Sequence, residues 1–159
     1  MTPFAEALLA QPITLLDTFH LPSETENDAL FSLRMFLIRY FPNPYYIAAD
    51  YRDPNVNSEA WTAPSIWADA TTWHRDDAHL AVKEYSHILF WSNKHGTEVK
   101  LPDGMIIQIP DGQIAIVNNS TCWHRLNTNC EPVRDRHFIR MCLKEDLLKT
   151  AVDYRENKA

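Results

Sequence analysis

Between residues 83 and 143 the chain carries five short apolar stretches, and no helical pattern separates them. They are KEYSHILFWS (83–92), MIIQIP (105–110), QIAIVNN (113–119), TCWHRL (121–126) and RHFIRMCL (136–143). The turn signals NKHG, LPDG and PDG punctuate the first three, and they hold the chain's three glycines, Gly96, Gly104 and Gly112. Parallel neighbours in a sheet need a crossover of a dozen or more residues, usually a helix. None is available here. The pattern therefore predicts antiparallel strands in a sandwich or small barrel.

The first third reads differently. PITLLDTF (12–19) has the character of a short strand, and LPSETENDALFSLRMFLIRYF (21–41) that of a long amphipathic helix. Ser23 and Glu26 form a capping box at its start, and Leu30, Leu33, Leu37 and Tyr40 recur at helical spacing. NPYYIAADY (43–51) and PSIWADA (64–70) read as strands around a polar loop, and KEDLLKTAVDY as a short closing helix. The expected architecture is one α+β domain over 1–159: a helix-rich support region at 1–62, a β-rich core at 63–143, and a tail or short helix at 144–159. At 159 residues, with 45% apolar and 11% aromatic side chains, such a domain can bury a core of its own.

Charge and cysteine usage narrow the function. A formal charge of −6 argues against a general binder of nucleic acid or anionic membrane. No stretch reaches the length of a membrane span, and MTPFAEALLAQ lacks the pattern of a secretory leader. Cys122, Cys130 and Cys142 are odd in number and form no C-x-x-C pair, which points to reduced thiols and a cytoplasmic setting.

The chemistry concentrates in TTWHRDD (71–77). On an extended segment His74 and Asp76, two residues apart, project to one face and offer an imidazole nitrogen and a carboxylate oxygen to one ion. His124, in STCWHRLN, follows an apolar run from which the intervening hairpins can return it to the same place. Two histidines and one carboxylate leave coordination positions open, the arrangement of non-haem Fe(II) oxygenases. Asp77 faces away from His74 on such a segment. His79 and His87 read as surface or outer groups, His95 as a turn residue, and Trp67, Trp73 and Trp123 as packing groups, those beside the ligands being also candidates to shape the pocket.

With these residues in place the chain resembles the Fe(II)/2-oxoglutarate-dependent dioxygenases, in particular their small prolyl-hydroxylase-like branch. ITLLDTFHLPSETENDALFSLRMFL is similar to the family's opening strand and support helix, and HILFWSNKHGTEVKLPDGMIIQIPDGQIAIVNNSTCWHR to its core; with RDRHFIRMCL the likeness spans residues 12 to 143. The resemblance implies a double-stranded β-helix, a jelly-roll or cupin-like barrel with N-terminal support helices. It also implies Fe(II) held by His74, Asp76 and His124, with 2-oxoglutarate as co-substrate and O2 as oxidant. The reaction expected is hydroxylation of an unactivated C–H bond with release of succinate and CO2. Halogenating relatives lack the carboxylate that Asp76 supplies here.

The family holds the far carboxylate of 2-oxoglutarate with a basic residue after the distal histidine. Arg134, Arg136 and Arg140 are available, and a planar guanidinium suits a carboxylate because it donates two parallel hydrogen bonds. Arg136 is the first choice, with Arg140 on the same strand face as its assistant or as a substrate contact. Tyr85, His87, Leu89 and Trp91 alternate along one strand face. Tyr85 and Trp91 are candidates for the co-substrate pocket, although core packing is the preferred reading for Leu89 and Trp91. A short chain leaves little room for a lid, which favours an amino-acid, peptide or protein substrate. Two rival classes stand beside this reading: a cupin-like barrel with different metal chemistry, and a metal-free barrel acting as a binding module. Residue types do not set the oligomeric state.

Overall fold

The computed structural model describes residues 1–20, 26–42, 73–75, 86–125 and 138–157. The expected strands at 43–51 and 64–70, and Ser23 of the capping box, lie outside them. Helix α1 (Pro3–Ala10) starts where Thr2 Oγ1 accepts a hydrogen bond from the Ala5 N–H at 3.0 Å, with proline in the first turn, where its missing N–H costs nothing. Strand β1 (Ile13–Thr18) follows, then helix α2 (Glu26–Leu37). The expected stripe Leu30, Leu33, Leu37 and Tyr40 is buried throughout.

Strands β2 (His87–Ser92), β3 (Glu98–Lys100), β4 (Ile106–Gln108), β5 (Gln113–Asn118), β6 (Trp123–Arg125) and β7 (Phe138–Leu143) come next, then helix α3 (Glu145–Lys149) and a 3-10 turn at Tyr154–Asn157. They form a four-stranded sheet in the order β1-β5-β2-β7 and a three-stranded sheet in the order β4-β3-β6. Every pairing among the described strands is antiparallel, as the sequence pattern predicts. The chain steps between sheets as it advances: β2 in the larger, β3 and β4 in the smaller, β5 in the larger, β6 in the smaller, β7 in the larger. The product is an α+β sandwich; among the described residues the sheets do not close into a barrel.

Two cores follow from the strand period of two. Leu89, Trp91, Ile114, Ile116, Ile139 and Met141 point to the side where Ala5, Leu8, Leu33, Leu37, Leu147 and Leu148 of the helices pack. Ile88, Phe90, Ala115 and Val117 point the other way, toward Val99 of the smaller sheet, with Ile109 and Cys122 completing that cluster. Strand β2 is consequently buried at all six positions, the signature of a strand covered on both faces.

His87, first residue of β2, is 3% exposed, and its Nδ1 lies 2.7 Å from Ser86 Oγ. Burial holds the imidazole below its ordinary pKa of 6.5, against the weaker opposing pull of the Leu8 backbone and Glu145. The folded state thus binds this proton less readily than the unfolded chain. Its contribution is complete above the unfolded value and is lost as pH falls below about 6.5. The denaturation midpoint should drop between pH 7.5 and 5.5, and less so in His87→Asn, measured by urea titration at both pH values.

Candidate metal centre

The described part of TTWHRDD is Trp73–His74–Arg75, which lies along the free side of β6 and extends the smaller sheet. His74 pairs antiparallel with His124, and the two residues exchange both backbone hydrogen bonds: His74 N–H to His124 O at 3.0 Å, His124 N–H to His74 O at 2.9 Å. Direct partners in an antiparallel pair project their side chains to the same face. The two imidazoles accordingly meet, with ring centroids 4.4 Å apart and planes inclined by 63°. His124 is 4% exposed and His74 is half-buried, so the pair is walled on one side and open on the other. The Phe90 ring of β2 sits 4.9 Å from His124, an apolar floor that limits water.

This spacing suits a shared ion. Two imidazoles bound at a right angle through bonds of about 2.1 Å bring their centroids to about 4.5 Å. The third sequence-predicted ligand, Asp76, lies outside the described residues, and among the described residues no three His, Cys, Asp or Glu side chains converge on one point. Cys122, two residues before His124, is no substitute. Burial pushes its thiol above the ordinary value, and its Sγ donates to the Pro12 carbonyl at 3.4 Å. It is a packed structural thiol, and the Cys142 thiol is likewise buried.

Of the candidates for the co-substrate, Tyr85, Arg134 and Arg136 lie outside the described residues. Arg140 of β7 is the register partner of Phe90 and shares its strand face, the face that carries Phe90 to His124. Trp91 is not brought to the pair. It points into the helix-side core, its indole N–H donating to the carbonyls of Phe19 at 3.0 Å and Gly112 at 2.9 Å. A cavity of about 290 Å3 opens there, lined by Thr18, Phe19, His20, Trp91, Asn93, Asp111 and Gly112, and it contains neither member of the histidine pair. Of the two readings of Trp91, core packing is the one found, and the cavity it borders lies away from the histidine pair. His95 is a turn residue, as expected, with φ at +51°.

Trp73 and Trp123 do not shape the imidazole side. Flanking the histidines along their strands, they face the opposite side of the sheet, where each is covered by an arginine from the other strand. The Arg125 guanidinium carbon is 4.0 Å from the Trp73 centroid, and that of Arg75 is 4.2 Å from the Trp123 centroid. A signal for this pairing exists in the chain: Thr-x-Trp-His-Arg occurs twice, at 71–75 and 121–125. Two copies of one tripeptide paired antiparallel place His against His and Trp against Arg. Among the described residues no helix is long and apolar enough to cross a membrane. No protein-family model, curated protein or solved structure matches the chain, so the assignment of the site rests on its own geometry.

Proposed function

We propose that the chain is a non-haem Fe(II)- and 2-oxoglutarate-dependent dioxygenase that hydroxylates a C–H bond of an amino-acid, peptide or protein substrate. The observation that carries this reading is the meeting of His74 and His124, fifty residues apart in sequence, as adjacent imidazoles on one sheet face. The strand path supports the double-stranded β-helix that goes with it. Alternation between two antiparallel sheets, with the His74 segment, β6, β3 and β4 side by side, is how such a fold sets its first metal-bearing strand next to its last.

In this reading His74 and His124 each give an imidazole nitrogen to the metal and Asp76 gives a carboxylate oxygen, leaving open positions for co-substrate and oxygen. Iron in this setting couples O2 reduction to decarboxylation of 2-oxoglutarate, yielding succinate, CO2 and the hydroxylated product. The protein's share is placement. Phe90 and Val99 keep the buried side dry, and the half-buried His74 side admits the substrate. Arg136, the first choice for the carboxylate anchor, lies outside the described residues; Arg140, sharing the strand face of Phe90, is the candidate among the described residues to assist it or to take its part. A cytoplasmic compartment fits, since Fe(II) and the thiols of Cys122 and Cys142 both call for reducing surroundings.

The test is anaerobic Fe(II) titration followed by 2-oxoglutarate-dependent succinate release in air. Stoichiometric uptake with turnover is the expected result; a chain that takes up no iron and forms no succinate is a metal-free binding module instead. Arg140→Ala should weaken 2-oxoglutarate binding by more than tenfold, since truncating one partner of a desolvated charge pair costs about 2–5 kcal/mol. Fe(II) affinity should change little, and Arg140→Lys should recover part of the loss. The charge-transfer absorption of the Fe(II)–2-oxoglutarate chelate reads both. A chelate undisturbed in Arg140→Ala leaves the anchor with Arg136 or Arg134.

A further inference from the structure

Among the described residues the 73–75 segment joins β6 through the bridge His74–His124 and its two backbone hydrogen bonds. On the face opposite the imidazoles, two side-chain contacts span the same junction. Arg75 lies over Trp123 at 4.2 Å and Arg125 over Trp73 at 4.0 Å, one on each side of the histidine pair. Both distances fall well inside the range of an energetically significant cation–π contact. Arg125 is fixed from its other side as well. Its Nε and Nη2 reach Glu98 Oε2 at 3.0 and 2.9 Å, and Glu98 is its register partner on β3. Lys100 Nζ also approaches Trp73, at 4.9 Å.

We infer that Trp73, Arg75, Trp123 and Arg125 are positioning residues, a two-way clamp that sets His74 beside His124 at the spacing a metal ion requires. The inference rests on the metal reading above for its purpose, and on the contacts themselves for its mechanics. A slip of one residue would send His74 to the opposite face and bring Trp73 or Arg75 to the metal side. The same slip would separate both Arg–Trp contacts at once, so the clamp opposes it from both sides. Glu98 anchors the arrangement to β3, which carries Val99 on the buried side of His124.

Two measurements on the intact chain decide it. The first is amide hydrogen exchange of His74 and His124 in metal-free protein; the second is Co(II) affinity from the visible absorption of the bound ion. In Trp73→Ala and Arg125→Ala, both amides should exchange at least tenfold faster, while β2 and β5 amides keep their protection. Co(II) should bind ten- to a hundredfold more weakly, the usual consequence of removing a group that orients a ligand. Trp73→Phe and Arg125→Lys preserve a ring and a cation and should restore most of both signals. Unchanged exchange in the alanine variants overturns the clamp, as does faster exchange with undiminished Co(II) affinity. Wild-type chain that takes up no Co(II) overturns the metal reading by itself, and the exchange rates then decide the clamp alone. Should β2 and β5 amides lose protection too, Arg75→Ala, which leaves the Glu98 contact intact, repeats both measurements with the same criteria.

Discussion

His124→Ala should abolish Fe(II) binding and succinate formation while the chain still unfolds in one cooperative transition. Removing the imidazole takes away one of the two proposed nitrogen donors, and Cys122 does not replace it, since its thiol is committed to the Pro12 carbonyl. The fold should survive because the backbone half of the pairing needs no side chain: the hydrogen bonds between residues 74 and 124 persist with alanine. A loss of about 2 kcal/mol is expected from the lost contact with Phe90 and the space left behind. His74→Ala should be equally inactive and less destabilised, its side chain being half-buried. Fe(II) titration and urea denaturation of each variant separate the two effects. If both variants bind iron as the wild type does, the pair is structural. Asp76→Ala should stop hydroxylation, and Asp77→Ala should be mild, because neighbours on an extended strand face opposite ways.

Gly96→Ala should be the most destabilising single-methyl change in the chain. Gly96 sits between β2 and β3, where a Cβ would stand 1.7 Å from the carbonyl oxygen of Ile109 and 2.8 Å from its carbon. The obstacle is backbone, which no rotamer can move. Ile109 is also 1% exposed, and its N–H donates to Thr97 O at 3.0 Å, so displacing it breaks the link between the β2–β3 turn and the end of β4. Overpacking of this kind costs about 3 kcal/mol, which in a domain of this size lowers Tm by roughly 10 °C. Gly104→Ala supplies the contrast. Its φ is +89° but nothing lies within 4 Å of the added methyl, so only the cost of the backbone conformation remains, about 1 kcal/mol. Calorimetry on the two variants should rank them in that order; equal losses would show that the close approach to Ile109 relaxes.

The elements most legible in the sequence are those whose pattern has one reading. Leu30, Leu33, Leu37 and Tyr40 mark one helical stripe, and all are buried. Residue type alone named His74 and His124 as partners in one site; that they face each other as direct antiparallel partners is a finding of the structure. Trp91 carried two readings, pocket and core, since all six residues of β2 are buried and alternation cannot choose between two apolar faces; the core reading is the one found. Strand β3 escaped notice for a different reason: Glu98, Val99 and Lys100 offer one apolar residue between two charges, and their strand character comes from pairing with β4 and β6. Helix α1 buries only Ala5 and Leu8, too few for a visible period, although Thr2 and Pro3 mark its start. The Arg–Trp contacts were hidden by reading each tryptophan alone. The repeat of Trp-His-Arg becomes informative only when the two copies are set against each other.

Because β2 belongs to both cores, the helices and the histidine pair share a wall one residue thick. Leu89 packs on the helix side and Phe90, its immediate neighbour, on the side of His124. Close-packed interiors transmit displacement instead of absorbing it. A substitution that repacks α2 against Leu89 is therefore communicated to the imidazoles without touching them. Selection acting on the helix layer for stability would at the same time shift the spacing of His74 and His124 on the opposite face, and the two traits should drift together.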